Sequence, residues 1–111
     1  MKFIDTYLKN FSNIISLLDK KEISKTINII NKIQINKGRI FFLGVGGSAG
    51  NASHAVNDFR KITEIESYAP TDNVSELTAR INDEGWDSSI SEWLKVSSLN
   101  KNDLIFIFSV G

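Results

Sequence analysis

RIFFLGVGGSAGNASHAVNDF, residues 39–59, is the stretch that decides the fold of this chain. Residues 39–43 are apolar after Arg39, with the β-branched and aromatic character of a strand buried on both faces. Gly44, Gly46 and Gly47 follow, then Ser48. Ala49, Ala52, Ala55, Val56 and Phe59 then recur at helical spacing, which predicts a helix over 48–62. Strand, glycine-rich turn and helix in that order are the opening of a βαβ unit.

Upstream, Phe3, Ile4, Tyr7, Leu8, Phe11, Ile14, Ile15 and Leu18 fall on one face of a helix over 3–18. Ile23, Ile27, Ile30 and Ile33 do the same over 21–35, and Asn36, Lys37 and Gly38 stop that helix. Residues 1–37 therefore read as a helical hairpin for packing or oligomerisation. Its polar faces are to be solvated or set against a partner chain. Downstream, residues 65–69 read as a weaker strand stopped by Pro70. Residues 73–82 and 88–99 read as helices, and LIFIF at 104–108 reads as a second strongly buried strand ending in Ser-Val-Gly. Trp86 and Trp93 are expected in the core or an interface.

The order α-α-β-α-β-α-α-β predicts an α/β fold, a parallel sheet with helices on both faces. Ligands in such a fold gather beyond the carboxyl ends of the strands. Gly44–Ser48 and Ser109–Gly111 fall there, as do Thr71 and Asp72. A three-stranded parallel sheet leaves apolar edges open. Either the native domain continues past Gly111 or a partner subunit covers the edge.

At 111 residues, 41% of them hydrophobic, the chain can bury the core of one small domain. Thirteen basic and thirteen acidic residues cancel, so charge points to neither nucleic acid nor an anionic membrane as partner. With no cysteine there is no disulfide and no thiolate zinc site. No basic n-region with an apolar h-region opens the chain and no apolar run reaches membrane length, so a cytoplasmic protein is expected.

The glycine-rich turn admits three readings. It is a tight β-α turn with Ser48 as an N-cap; or it is an anion cradle, where glycine backbone and a helix N-terminus approach a phosphate and Ser48 adds a hydroxyl. The third is a dinucleotide fingerprint, since Gly44, Gly46 and Ala49 fit G-x-G-x-x-A and Glu64 or Glu66 lies where a ribose-binding acid would stand. GxxxxGK[ST] is absent, which argues against a P-loop NTPase. His54 and Asp58, four apart on one helix, share a face. They are a surface pair or a capped core histidine, or else metal ligands or acid/base groups facing a sugar. One histidine in a cysteine-free chain does not complete a usual zinc site unaided. Arg60, Lys61 and Arg80 are cations within reach of a phosphate or simply solvated surface.

RIFFLGVGGSAGNASHAVNDF, YAPTDN, NDEGW and NDLIFIFSVG together resemble sugar-isomerase (SIS) domains, most of all the bacterial phosphoheptose isomerases. The resemblance covers nearly all of the chain. It implies a three-layer α-β-α sandwich with a five-stranded parallel, flavodoxin-like sheet, of which residues 38–111 are the N-terminal part. It implies homotetramers with active sites built from more than one subunit. It also implies conversion of sedoheptulose 7-phosphate to D-glycero-D-manno-heptose 7-phosphate for lipopolysaccharide or capsule heptose.

Carried over by position, Ser48 and Ser109 bind the phosphate, Gly46 and Gly47 let the backbone approach, and Asp72 contacts substrate hydroxyls. His54 matches a zinc ligand. Asp58 stands where the family has a glutamate that is both base and metal ligand. Two residues depart from the pattern. Asp58 is shorter than glutamate by one C–C bond, about 1.5 Å, a misplacement that can cost about a hundredfold in rate. Val45 replaces a common asparagine. The family's second catalytic histidine lies beyond Gly111, so residues 1–111 alone are expected to be inactive. The alternatives are a non-catalytic sugar-phosphate sensor on the same fold and a dinucleotide-binding module.

Overall fold

The structure, a computed structural model, describes residues 1–110. Helices α1 (Lys2–Ser16) and α2 (Lys20–Ile35) precede β1 (Ile40–Leu43). Helix α3 (Gly47–Asp58) runs into a π-helical turn over Phe59–Thr63. Strand β2 (Ser67–Tyr68) gives way to a 3-10 turn over Pro70–Asp72. Then α4 (Val74–Glu84) and α5 (Trp86–Val96) lead to β3 (Leu104–Ile107).

The strands lie in the order β2-β1-β3 and all pairs are parallel. Ile40 sits opposite both Ser67 and Leu104, and Phe42 sits opposite Phe106. The central strand is the most apolar, and Ile40, Phe41 and Phe42 are at most 1% exposed. Each such side chain contributes about 1.5–3 kcal/mol of burial. Successive side chains of a strand point to opposite faces, so β1 serves two layers. On the Phe42 face pack Ile33 of α2 and Ala52 of α3, with Ile65 and Ala69. Phe59, Phe106 and Phe108 surround the Phe42 ring at centroid distances of 5.0, 5.6 and 6.0 Å. On the Phe41 face, Trp93 of α5 stands edge-on at 5.7 Å and Tyr68 stacks at 6.1 Å. The result is the α-β-α sandwich that the element order predicts.

One ion pair fixes the amino end of the sheet. Arg39 Nη2 lies 2.7 Å from Asp103 Oδ2, and both Arg39 Nε and its backbone N–H donate to Oδ1 at 3.1 Å. The same guanidinium donates to the carbonyls of Ser97 and Ser98 and lies 5.0 Å from the Phe41 ring centre. It thus ties β1 to the α5–β3 connection just where the two strands begin pairing, with Leu104 N–H bonded to Arg39 C=O at 2.9 Å.

Several local expectations need correction. The helix expected over 48–62 loses its α-helical pattern at Asp58. Thr63 Oγ1 bonds back to the Phe59 carbonyl, as does the Ile65 N–H, and Glu64 takes a left-handed φ of 58°. No glycine marks that stop, so periodicity runs past it. The strand expected over 65–69 shrinks to Ser67–Tyr68 because the chain turns at Pro70. The strand β3 is not strongly buried: Ile105 and Ile107 are 38% and 64% exposed, while Leu104 and Phe106 face the core. An edge strand with one covered face alternates in this way. Trp93 is in the core layer, whereas Trp86 is 47% exposed. On α1 no residue is buried, and its apolar stripe of Phe3, Ile4, Tyr7, Leu8, Phe11, Ile14 and Ile15 lies open.

Candidate functional site

The carboxyl ends of β1 and β3 bring the glycine-rich turn and Ser109 together. A cavity of about 350 Å³ is lined by Gly44, Val45, Ser48, Ile90, Phe108 and Ser109, among others. The turn is built for close approach. A Cβ on Gly44 would sit 2.3 Å from the Ser48 carbonyl oxygen, so only glycine fits there. Gly46 holds φ at 60°, the left-handed region that favours glycine, and is the N-cap of α3. Ser48 is therefore not the cap but the second residue of the helix, which disposes of the N-cap reading. No side chain caps α3 and no acidic residue stands in its first turn. The positive end of the helix dipole is left facing the cavity.

Gly47 differs from Gly44. A Cβ there would meet nothing within 4 Å, and its φ is not in the left-handed region. The fold does not need glycine at this position; close approach of a ligand to the backbone would.

His54 and Asp58 pair with each other, His54 Nε2 lying 3.1 Å from Asp58 Oδ2. His54 is 76% exposed and Asp58 43%, so the capped-core reading of the histidine is wrong. Neither lines the Ser48–Ser109 cavity. They stand further along the same helix. At 1.5 Å rise per residue, His54 is about 9 Å beyond Ser48 along the axis. Among the described residues no group of three or more histidine, aspartate and glutamate side chains is placed to hold a metal.

Asp72 stands in the 3-10 turn after β2 and accepts a hydrogen bond at Oδ1 from the Ser53 hydroxyl of α3. In the same turn Thr71 Oγ1 is buried without a hydrogen-bond partner. The cations weighed from the sequence, Arg60, Lys61 and Arg80, do not line the Ser48–Ser109 cavity, though Arg60 and Asp72 line another beside β2. Arg60 donates to the Ser67 carbonyl and lies over the Tyr68 ring at 5.5 Å, and Arg80 pairs with Glu76 and Glu84. Glu64 and Glu66 precede β2, at the amino ends of the strands. Glu66 accepts from the Tyr68 hydroxyl at 2.8 Å, and this hydrogen bond, with burial, raises the phenol's pKa. A ribose-binding acid belongs at the opposite, carboxyl end of the second strand, so the dinucleotide reading loses its acid.

Sequence reasoning missed two residues here. Ser53 gave no signal beyond being one more small polar residue of α3. Ile90 lies in the helix expected over 88–99 with nothing to single it out, yet it walls the cavity.

Searched against known proteins, the chain matches no family model and no curated protein. Among solved structures it is similar to the phosphoheptose isomerase GmhA from Neisseria gonorrhoeae, with a TM-score of 0.81 over 97% of this chain. The fold is the sugar-isomerase (SIS) fold. Identity to that protein is 23%, and the match spans 57% of its length. Among the described residues no helix is long and apolar enough to cross a membrane.

Proposed function

We propose that this chain is the phosphate-binding part of a phosphosugar aldose-ketose isomerase acting on sedoheptulose 7-phosphate. The observation that carries the reading is the cavity at two adjacent strand ends, where Ser48, the Gly44 backbone and Ser109 converge on one volume, with Gly46 and Gly47 in the same turn but outside its lining. Phosphate suits this seat because backbone N–H groups and hydroxyls donate to it and the uncapped helix end favours its charge.

The spacing along α3 supports a long substrate. An extended seven-carbon chain with its phosphate ester measures roughly 10 Å, counting about 1.25 Å of projected length per bond. That is close to the roughly 9 Å rise from Ser48 to His54. On this reading a chain of that length, with its phosphate at the turn, is long enough to leave the cavity and reach the His54–Asp58 pair.

In the proposed reaction the Asp58 carboxylate removes a proton from C1 of the ketose. The electron pair forms the C1=C2 bond of a cis-enediol, and the C2 carbonyl oxygen takes up a proton. Return of the carbon-bound proton to C2 and loss of the O1 proton give the aldose. One hydrogen has moved from C1 to C2 and one from O1 to O2, so no oxidant is needed. His54 holds the Asp58 carboxylate from one side. These two side chains offer two donors of the type zinc accepts, fewer than a four-coordinate site takes. Zinc held there would help organise the site, and assays with and without Zn²⁺ read its part.

Two further elements belong to this reading. A second copy of the chain covering the α1 stripe, within a homotetramer, accounts for a 15-residue helix that buries nothing and would be marginal alone in water. A cytoplasmic role in lipopolysaccharide or capsule heptose synthesis goes with the substrate.

A second reading, a non-catalytic sugar-phosphate sensor, is favoured by one observation: Asp58 carries a shorter side chain than the resemblance calls for and stands outside the phosphate cavity. NMR observation of sedoheptulose 7-phosphate, with the chain extended by the remaining part of the SIS domain that the resemblance implies, separates the two. Conversion to the aldose that disappears in Asp58→Asn supports the isomerase. Saturable binding without conversion supports the sensor, and wild-type turnover by Asp58→Asn removes Asp58 as the base.

A further inference from the structure

We infer that Ile90 sets the phosphate cavity to prefer a phosphate monoester over free phosphate, by walling with hydrocarbon the side that faces its hydrogen-bonding groups. The inference rests on the sugar-phosphate reading above and adds how that site tells its ligand from the inorganic ion.

The cavity straddles the carboxyl edge of the sheet, and its two sides differ. Phe41 and Leu43 point to one face of β1, and Leu43 sits opposite Ile107 of β3. That face is the one α5 covers, where Trp93 stands edge-on to Phe41 at 5.7 Å. Ile90 lies one turn before Trp93, on the same side of the helix. Leu43, Ile90 and Ile107 all line the cavity, and together they form an aliphatic wall on the α5 side. The other side belongs to α3, which packs on Phe42 through Ala52. Ser48 lies one turn before Ala52 and shares its side of that helix. Ser48, the Gly44 backbone and Ser109 supply the polar groups of the same volume. Among the described residues no lysine, arginine or histidine lines it.

Free phosphate carries four oxygens; a monoester has three terminal oxygens and an ester-linked carbon. With three oxygens on the hydroxyl and N–H side, the fourth substituent faces the wall. An oxygen there exchanges water for a surface that donates no hydrogen bond, which is unfavourable, and no cation in the lining offsets the loss. A carbon there is removed from water, which is favourable. Rotation about the P–O and O–C bonds lets the rest of a sugar chain leave the cavity. Ile90 is the part of the wall that lies outside the sheet, half-buried on α5, so it can be changed without touching the pairing of β1 with β3.

The test is calorimetric binding of inorganic phosphate and of methyl phosphate, at a pH where both are dianions, to the chain extended by the rest of the SIS domain that the resemblance implies. The proteins are wild type, Ile90→Val and Ile90→Thr, two variants of nearly one shape that differ by a methyl group against a hydroxyl. Wild type should bind methyl phosphate about fourfold more tightly than inorganic phosphate, the worth of one buried carbon. Ile90→Val should keep that preference. Ile90→Thr should bring the two affinities to within about twofold of each other. A preference that survives in Ile90→Thr would overturn the inference, as would equal losses for both ligands, the mark of a general structural defect. Equal binding of the two ligands by wild type would overturn the inference and leave the phosphate seat standing. If wild type binds neither ligand, the sugar-phosphate reading itself fails and takes the inference with it.

Discussion

Replacing Asp103 by asparagine should cost about 3 kcal/mol of folding stability. The side chain is 1% exposed, and its two oxygens accept four hydrogen bonds: from Arg39 N–H and Nε at 3.1 Å, Arg39 Nη2 at 2.7 Å and Asn100 N–H at 3.0 Å. In Asp103→Asn one oxygen becomes an NH₂ group. Whichever way the amide turns, a donor then faces two donors, and Arg39 keeps its charge beside an amide. Breaking one side of a buried pair costs about 3–5 kcal/mol. Arg39 is 21% exposed and keeps its bonds to the Ser97 and Ser98 carbonyls, which puts the cost at the low end.

The pH dependence has a definite sign. Burial pushes the Asp103 pKa up, but the Arg39 side chain, the Asn100 and Arg39 N–H groups and the Arg39 charge together outweigh it and leave the value lowered. A lowered carboxylate pKa contributes stability that is complete above the unfolded value, about 3.9, and fades as pH falls through the folded value. Urea unfolding followed by circular dichroism should therefore show a constant gap between wild type and Asp103→Asn from pH 7 to near pH 5. The gap should begin to close only in stronger acid. A gap under about 1 kcal/mol, the worth of an exposed pair, would refute the claim that this clamp holds β1 to the β3 connection.

The remaining predictions concern the site. Gly44→Ala should destabilise the chain by about 1–3 kcal/mol through backbone overlap, while Gly47→Ala should leave urea stability intact and weaken phosphate binding in calorimetry. If both changes alter stability alike, the distinction between a glycine the fold needs and one a ligand needs is wrong. Thr71→Val should be neutral or stabilising by up to about 1 kcal/mol, because the hydroxyl it removes is buried without a partner; a thermal melt showing clear destabilisation would mean the hydroxyl is satisfied. In the chain extended by the rest of the SIS domain, Asp58→Glu should raise turnover of sedoheptulose 7-phosphate by up to about a hundredfold, the factor that a roughly 1.5 Å shortfall can cost, and a fall would show that the site has adapted to aspartate.

What could be read from the sequence was local. The strand at Ile40–Leu43, the glycine-rich turn and the helix after it lie within about twenty residues, and periodicity and glycine chemistry are enough to order them. The carboxyl-end rule then put Ser48, Asp72 and Ser109 at one edge of the sheet. Hidden were the contacts that join distant parts. Arg39 and Asp103 are 64 residues apart, and Arg39 looked like the polar lip of a strand. The run LIFIF is apolar at every position, so nothing in it says which face is covered; only pairing at the sheet edge makes Ile105 and Ile107 the open side. The stop at Glu64 was invisible because a left-handed glutamate has no composition signal. The α1 stripe was legible as amphipathic, but periodicity names a face and not what lies against it.

The residues of the site divide by what depends on them. Gly44 and Gly46 serve the fold: one is pressed against the Ser48 carbonyl and the other holds a left-handed φ. Gly47 has open space before it, Ser48 caps nothing, and the His54–Asp58 pair is exposed to solvent. Core packing does not account for this second group, so a change there should move binding or turnover more than stability. Ser53 stands between the groups, half-buried against the sheet yet bonded to an exposed carboxylate. On this division the turn is a rigid frame fixed by Gly44 and Gly46. The side chains it presents at Ser48, His54 and Asp58 should be open to change one at a time without unfolding the frame. That separation is what allows the tests above to distinguish loss of function from loss of structure.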